Sequence, residues 1–158
     1  MPAEETREDE EVAVERALRA LARRDHSASS LRAKLARAGL PESAQEAAVG
    51  RLAQAGYVDD GRYACERARR LADRGYGNEW IRADLERQGV DRETAEAAIS
   101  PLEPERERAL RAAVTAGGGV RVLRSLARRG FSEAALETVA AALIADDAPE
   151  RVGYESSI

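Results

Sequence analysis

Three ten-residue stretches, LRAKLARAGL (31–40), IRADLERQGV (81–90) and VLRSLARRGF (122–131), superpose when Gly39, Gly89 and Gly130 are aligned. Leu31, Ile81 and Val122 then fall eight residues before the glycine. Leu35, Leu85 and Leu126 fall four before it, and Leu40, Val90 and Phe131 one after. Beyond these stretches, Val49, Ile99 and Ala140 share one slot, Leu52, Leu102 and Leu143 another, and Leu21 matches Leu71 upstream. Agreement at so many independent positions marks an internal repeat, with spacings of 50 and 41 residues. A unit of this size has little core of its own. Neighbouring units must therefore stabilise one another, which predicts an elongated, curved array.

The apolar residues of each unit recur three and four apart, the period of an amphipathic helix. Glycines at 39, 56, 75, 89 and 130 close such stretches, as residues just past a helix end do. Ser27, Asp59, Asn78, Asp91 and Ser132 stand where N-caps are expected. Pro41, Pro101 and Pro104 fall between elements. The punctuation predicts nine helices, over 10–25, 28–38, 42–55, 60–74, 78–88, 92–100, 104–116, 119–129 and 133–145. No stretch alternates convincingly as a strand, and the dominant Ala, Leu, Arg and Glu form helices well and strands poorly. The expected fold is all-α, with three-helix repeats at 14–57, 58–102 and 103–145. They lie between an acidic flexible tail at 1–13 and a flexible C-terminal tail at 146–158. Nearly half the hydrophobic residues are alanine, which predicts thin, closely packed helices and modest stability.

The net charge of −4 hides an uneven distribution. Residues 16–145 carry 23 bases against 18 acids, and of those bases only Lys34 is lysine. Arginine presents a planar fork suited to phosphate and carboxylate, although a coding bias toward Arg and Ala accounts for the ratio equally well. A single cysteine, Cys65, excludes an internal disulfide and a cysteine-based zinc site. No hydrophobic segment reaches membrane-spanning length, and the acidic start lacks the features of a signal peptide. These features lead us to expect a cytoplasmic protein without membrane contact.

Two adjacent carboxylates, Asp59 and Asp60, sit between Gly56-Tyr57-Val58 and a helical pattern. A two-metal site would need a third carboxylate and strands to present the pair, so a helix-capping junction is the expected role. His26 reads as a surface or loop residue, because nothing marks a nucleophile and an orienting acid around it. Cys65 reads as a small packing group. The run TAGGGVR (115–121) lacks the lysine and preceding strand of a phosphate loop and reads as a turn. No catalytic constellation, metal site or cofactor site emerges. Tyr76 and Trp80, beside Arg74 and Arg82, could stack on bases or close a gap between helix layers. Helix four carries Arg67, Arg70 and Arg74 on one face, away from the apolar side. Arg37, Arg87 and Arg128 recur in one slot of the repeat, Arg32 and Arg82 in a second, Arg24 and Arg74 in a third. Each set serves as a basic stripe or, near helix ends, as a complement to the helix dipole. Arg82 also has Glu86 within i,i+4 reach.

Taken together, ALRALARRDHSASSLRAKLARAGL, the junction GYVDDGRYA, RGYGNEWIRADLERQGV and the terminal LARRGF resemble the RecX regulators of the RecA recombinase over roughly residues 14–145. The most specific piece is the junction Gly56, Tyr57, Val58, Asp59, Asp60, Gly61, Arg62, Tyr63 and Ala64. The chain departs from the pattern in its His-Ser-Ala-Ser-Ser segment and in the triple glycine of its third unit. The resemblance implies a non-enzymatic monomer that binds the RecA filament on single-stranded DNA and inhibits recombinase, ATPase and co-protease activity in DNA repair, DNA recombination and the SOS response. Naked DNA would be bound weakly or indirectly. On this reading Arg67, Arg70, Arg74, Arg82 and Arg87, supported by Arg32 and Arg37, contact the filament. A stand-alone helical DNA-binding protein or transcription regulator is the alternative. It would need a recognition helix and a dimer seam.

Overall fold

The computed structural model describes residues 2–147, and among them every regular element is a helix. They run in order as α1 (Pro2–Leu21), α2 (Ala28–Arg37), α3 (Glu42–Gln54), α4 (Asp60–Asp73), α5 (Asn78–Arg87), α6 (Arg92–Ile99), α7 (Glu105–Thr115), α8 (Val120–Arg128) and α9 (Glu133–Asp146). Close helix packing groups them as α1–α3, α4–α6 and α7–α9, with the first and third helices of each trio packed along the greatest length. The result is an array of three-helix units.

Glycine punctuation carries through to the backbone. Gly39, Gly56, Gly75, Gly89 and Gly130 all have φ between 75° and 84°, where a side chain would strain the chain. The residue after each donates its N–H back to the carbonyl five positions earlier: Leu40 to Leu35, Tyr57 to Leu52, Tyr76 to Leu71, Val90 to Leu85 and Phe131 to Leu126. This closure satisfies orphan carbonyls and, at the second and third middle helices, turns the following apolar residue inward. Val90 and Phe131 are accordingly 3 % exposed. Ser27, Asp59, Asp91 and Ser132 cap α2, α4, α6 and α9 through their side chains.

Several expectations need correction. The first helix, expected over 10–25, starts at Pro2, so residues 2–13 of the expected flexible tail are helical and belong to α1. No glycine or proline interrupts the run after Pro2, and its Glu4 and Glu5 lie at the positive end of the helix dipole. α1 also stops at Leu21 rather than 25, leaving residues 22–27 to turn into α2. Asn78 is the first residue of α5, and Gly77 takes the N-cap position without a side-chain bond. The C-terminal tail expected at 146–158 lies outside the described residues from 148 onward.

Each trio encloses its own apolar cluster. Ala13, Ala17, Leu31, Leu35, Ala48, Val49 and Leu52 centre the first; Ala64, Ala68, Ile81, Leu85 and Ile99 the second; Ala109, Val122, Leu126, Phe131 and Val139 the third. Val58, assigned by the repeat register to the second unit, packs in the first core. The alanines on first and third helices let those helices approach closely, while the two large residues of each middle helix fill the centre. Truncating Leu35 or Leu85 to alanine should therefore cost about 2–5 kcal/mol.

Between units the contact is made end to end. The start of α2 abuts the end of α5: Ser27 Oγ donates to the Gln88 carbonyl, and the Ala28 N–H donates to Asp60 Oδ1 at 2.7 Å. The start of α5 meets the end of α8 in the same way. Gly77 N–H donates to the Arg129 carbonyl at 2.8 Å, Glu79 N–H to the Gly130 carbonyl at 3.1 Å, and Asn78 N–H to Glu105 Oε1 at 2.6 Å. At both joints, donors at one helix start (the Ser27 hydroxyl at the first, backbone N–H groups at the second) meet carbonyls of another helix end, so the dipoles run head to tail. At both, the first residue of the next unit (Asp60 of α4, Glu105 of α7) caps the preceding middle helix. The approach is too close for side chains: a Cβ on Gly77 would lie 2.2 Å from the Gly130 carbonyl oxygen, and one on Gly130 2.4 Å from Trp80 N.

Candidate interaction surface

Arginine is the one chemically distinctive residue type of the chain, and the fold divides its arginines into two populations. Some are tied into the units. Arg67 reaches from α4 to Asp84 of α5, pairing both carboxylate oxygens through Nε and through Nη2 at 3.0 Å. Asp84 is 8 % exposed, so this is a partly desolvated, bidentate pair rather than a surface one. The Asp84 carboxylate raises the Arg67 pKa, and burial opposes it less strongly. Arg82 crosses from α5 to Glu96 of α6 in a second bidentate pair, not to Glu86. That pair holds the Glu96 carboxyl below its ordinary pKa. Arg32 Nε lies 2.7 Å from Glu46 Oε1, close enough for an ion pair although not aligned for a hydrogen bond. Three of the seven expected contact residues thus staple a middle helix to a neighbouring helix.

Others face outward. Arg37 and Arg74 are exposed, and among the described residues their side chains have no ion-pair or hydrogen-bond partner. Arg70 is exposed and makes only a 3.4 Å contact with the Glu66 carbonyl of its own helix. Arg87 is intermediate: Nη2 lies 3.5 Å from Asp84 Oδ1 while the guanidinium sits over the Trp80 ring, 5.6 Å from its centroid. Trp80 in turn stacks on Tyr76 with centroids 5.0 Å apart. The aromatic pair therefore packs beside the second joint, yet Trp80 keeps 37 % of its surface exposed.

The aspartate pair divides its labour. Asp59 Oδ1 accepts from the Arg62 N–H at 2.9 Å and caps its own helix, whereas Asp60 Oδ1 caps α2 of the preceding unit. Capping was legible in the sequence; a cap delivered across a separation of 32 residues was not. No three His, Cys, Asp or Glu side chains among the described residues cluster as a metal site would require. His26, expected as a surface or loop residue, is a loop residue that is buried. It lies in the α1–α2 turn but is 6 % exposed, with Nδ1 3.1 Å from Ser30 Oγ. Burial, then Arg24 and Lys34, lower its pKa.

Sequence reasoning missed three arginines near the second joint. Arg108 is 5 % exposed and donates to the carbonyls of Glu103 and Tyr76 and to Asn78 Oδ1. That use of the Asn78 side chain explains why it does not cap α5. Arg111 forms a bidentate pair with Glu103, lowering the Glu103 pKa. Arg129 lies so near Gly75 that a Cβ there would be 2.9 Å from its Nη1. The adjacent pair Arg128-Arg129 just before Gly130 was the available signal, but only Arg128 matches the repeat slot.

No described helix is long and apolar enough to cross a membrane. Residues 13–52 match the RecX first three-helix domain, and residues 59–99 match the RecX second three-helix domain. Regulatory protein RecX of Stenotrophomonas maltophilia (strain R551-3) is 35% identical over 146 residues, spanning 92% of this chain and 82% of that protein. Its counterpart in Xanthomonas axonopodis pv. citri (strain 306) is 35% identical over 148 residues, 94% of this chain and 83% of that protein. The crystal structure of RecX from Lactobacillus salivarius superposes with a TM-score of 0.75 at 20% identity, covering 87% of this chain and 98% of that one. With both three-helix domains matched in order and a third of the residues shared across most of two regulatory proteins, the chain belongs to the RecX family.

Proposed function

We propose that this protein binds the RecA recombinase filament on single-stranded DNA and inhibits its recombinase, ATPase and co-protease activities. The observation that carries the reading is the tandem match to both RecX three-helix domains in an array whose joints leave arginines unpaired at its surface. Arg70 and Arg74 at the end of α4 are the principal contacts, with Arg87 and Arg37 as further contacts. Arg67, Arg82 and Arg32 support the surface indirectly, by holding α5 and α2 in place. An array with a basic face suits a filament that offers both acidic protein surface and DNA phosphate, with an affinity that falls as salt rises.

The test is single-stranded-DNA-dependent ATP hydrolysis by RecA of the same organism, titrated with this protein. Suppression well below one copy per RecA indicates blocked filament growth or disassembly; suppression only near saturation indicates occupancy along the filament. Charge reversal of Arg70 and Arg74 should abolish the effect with helicity intact. No effect of the unaltered protein, together with tight binding to DNA alone, would replace this reading with that of a helical DNA-binding protein.

A further inference from the structure

A cleft of about 580 Å³ opens at the second joint, between the end of α4, the outer side of α7 and the end of α8. Four guanidiniums line it (Arg74, Arg108, Arg111 and Arg129) against the single carboxylate of Asp73. Their states differ. Arg108 is committed to two carbonyls and Asn78, and Arg111 to Glu103. Arg74 and Arg129 are exposed, and neither has a side-chain partner among the described residues. Two free forks thus face a cleft whose walls already carry positive charge.

The repeat supplies a further basic position one unit earlier. Arg24, which shares its repeat slot with Arg74, stands in the turn after α1, is exposed and has no side-chain partner among the described residues. Basic positions one unit apart on an array suit a ligand with repeated negative charge more than an isolated anion. The cleft offers forks for phosphate but no aromatic wall for a base, so it would read a backbone and not a sequence.

We infer that the second joint is a phosphate-binding cleft for single-stranded nucleic-acid backbone, with Arg74 and Arg129 as its anchors. This rests on the proposed function for the identity of its ligand. The joint that closes the repeat array is also what brings the two anchors together, since Arg74 and Arg129 come from different units.

Fluorescence anisotropy of a labelled oligodeoxythymidine at low and rising salt tests it. Arg74→Glu with Arg129→Glu should weaken binding by at least about tenfold and reduce the log–log salt slope by about 1.4, roughly 0.7 for each phosphate that the variant no longer neutralises. Arg121→Glu with Arg124→Glu changes net charge equally on exposed α8 positions outside the cleft and should weaken binding less than about threefold. Circular dichroism checks folding, and Arg74→Gln with Arg129→Gln carries the slope test if the reversed variant does not fold. Equal losses in the two charge-reversed variants overturn the inference. So does competition by polyglutamate as strong as that by unlabelled oligonucleotide, which would make the cleft a reader of acidic protein. Absence of oligonucleotide binding by the unaltered protein also overturns it, whereas failure of the proposed function shows separately, as unchanged RecA ATP hydrolysis.

Discussion

The two joints of the array perform one task with different chemistry. At the first, a side-chain hydroxyl of Ser27 meets the Gln88 carbonyl and a single backbone N–H, that of Ala28, meets Asp60. At the second, no hydroxyl is present at the N-cap, and the backbone N–H groups of Gly77 and Glu79 take the two carbonyls at the end of α8 directly. Glu105 reaches further than Asp60: its carboxylate accepts from Asn78 N–H and Ser132 Oγ, with Ser132 N–H at 3.4 Å. Removing the Ser27 side chain in favour of glycine at position 77 lets the helix ends close to direct backbone contact. The lesson is that helix-end complementarity sets the geometry of the repeat, and side chains are recruited only where the backbone does not reach. The third unit shows the converse. α8 has Gly119 at its N-cap with no side-chain bond, and no further unit among the described residues supplies the carboxylate that α2 and α5 receive.

Glycine substitutions should break the comparison most sharply. Gly130→Ala combines a φ of +76° with a Cβ 2.4 Å from backbone of Trp80, whereas Gly39→Ala has a similar φ of +82° and open space around it. Gly39→Ala should cost about 1–2 kcal/mol, the left-handed strain alone, and Gly130→Ala a further 1–3 kcal/mol or so from forced opening of the joint. Urea denaturation of the pair measures the difference. Equal losses would mean that the joint contributes nothing to stability.

Arg67→Ala comes next, at about 1–3 kcal/mol, because it removes the bidentate partner of a nearly buried Asp84; Arg70→Ala should change stability by less than about 0.5 kcal/mol. The two arginines differ by three positions on one helix, so thermal melts of both variants separate the stapling population from the outward one. A comparable loss for both would remove that distinction.

Smaller effects should follow from the two capping carboxylates. Glu105→Ala deprives three donors of their acceptor and Asp60→Ala only one, which predicts losses of about 2 and about 1 kcal/mol. If Asp60→Ala proves the more damaging, the first joint and not the second carries the greater share of inter-unit stability. The smallest effect concerns His26. Its folded-state pKa lies below its unfolded value, so the unfolded chain binds the proton more readily. The stabilising contribution is therefore complete above the unfolded pKa of about 6.5 and declines as pH falls below it toward the folded value. The melting temperature of the native protein should drop more between neutral pH and mildly acidic pH than that of His26→Gln. Parallel profiles would show that His26 does not couple to folding.

Much of the fold was legible because its signals are local. A glycine past a helix end, a serine or aspartate before a helix start and apolar residues three and four apart all act within a turn or two of backbone. Ser27, Asp59, Asp91 and Ser132 behave as those rules require, and the positions eight and four before each glycine form the three cores. Asn78 was misread as an N-cap because it is governed by the joint next to it, where its side chain accepts from Arg108, and not by its sequence neighbours. The helix start at Pro2 was not legible because charge pattern alone does not separate an exposed helix from a flexible tail.

By itself, then, the sequence determined the helices, their ends and their threefold repetition, since each depends on hydrogen bonds spanning three to five residues. Only the tertiary structure decided what the arginines do. Whether a guanidinium is spent on Asp84 or Glu96, or left free at a cleft as in Arg74 and Arg129, depends on how separate helices are placed against one another. The groups that meet at the joints lie 27 to 61 residues apart, a distance over which no local spacing rule operates.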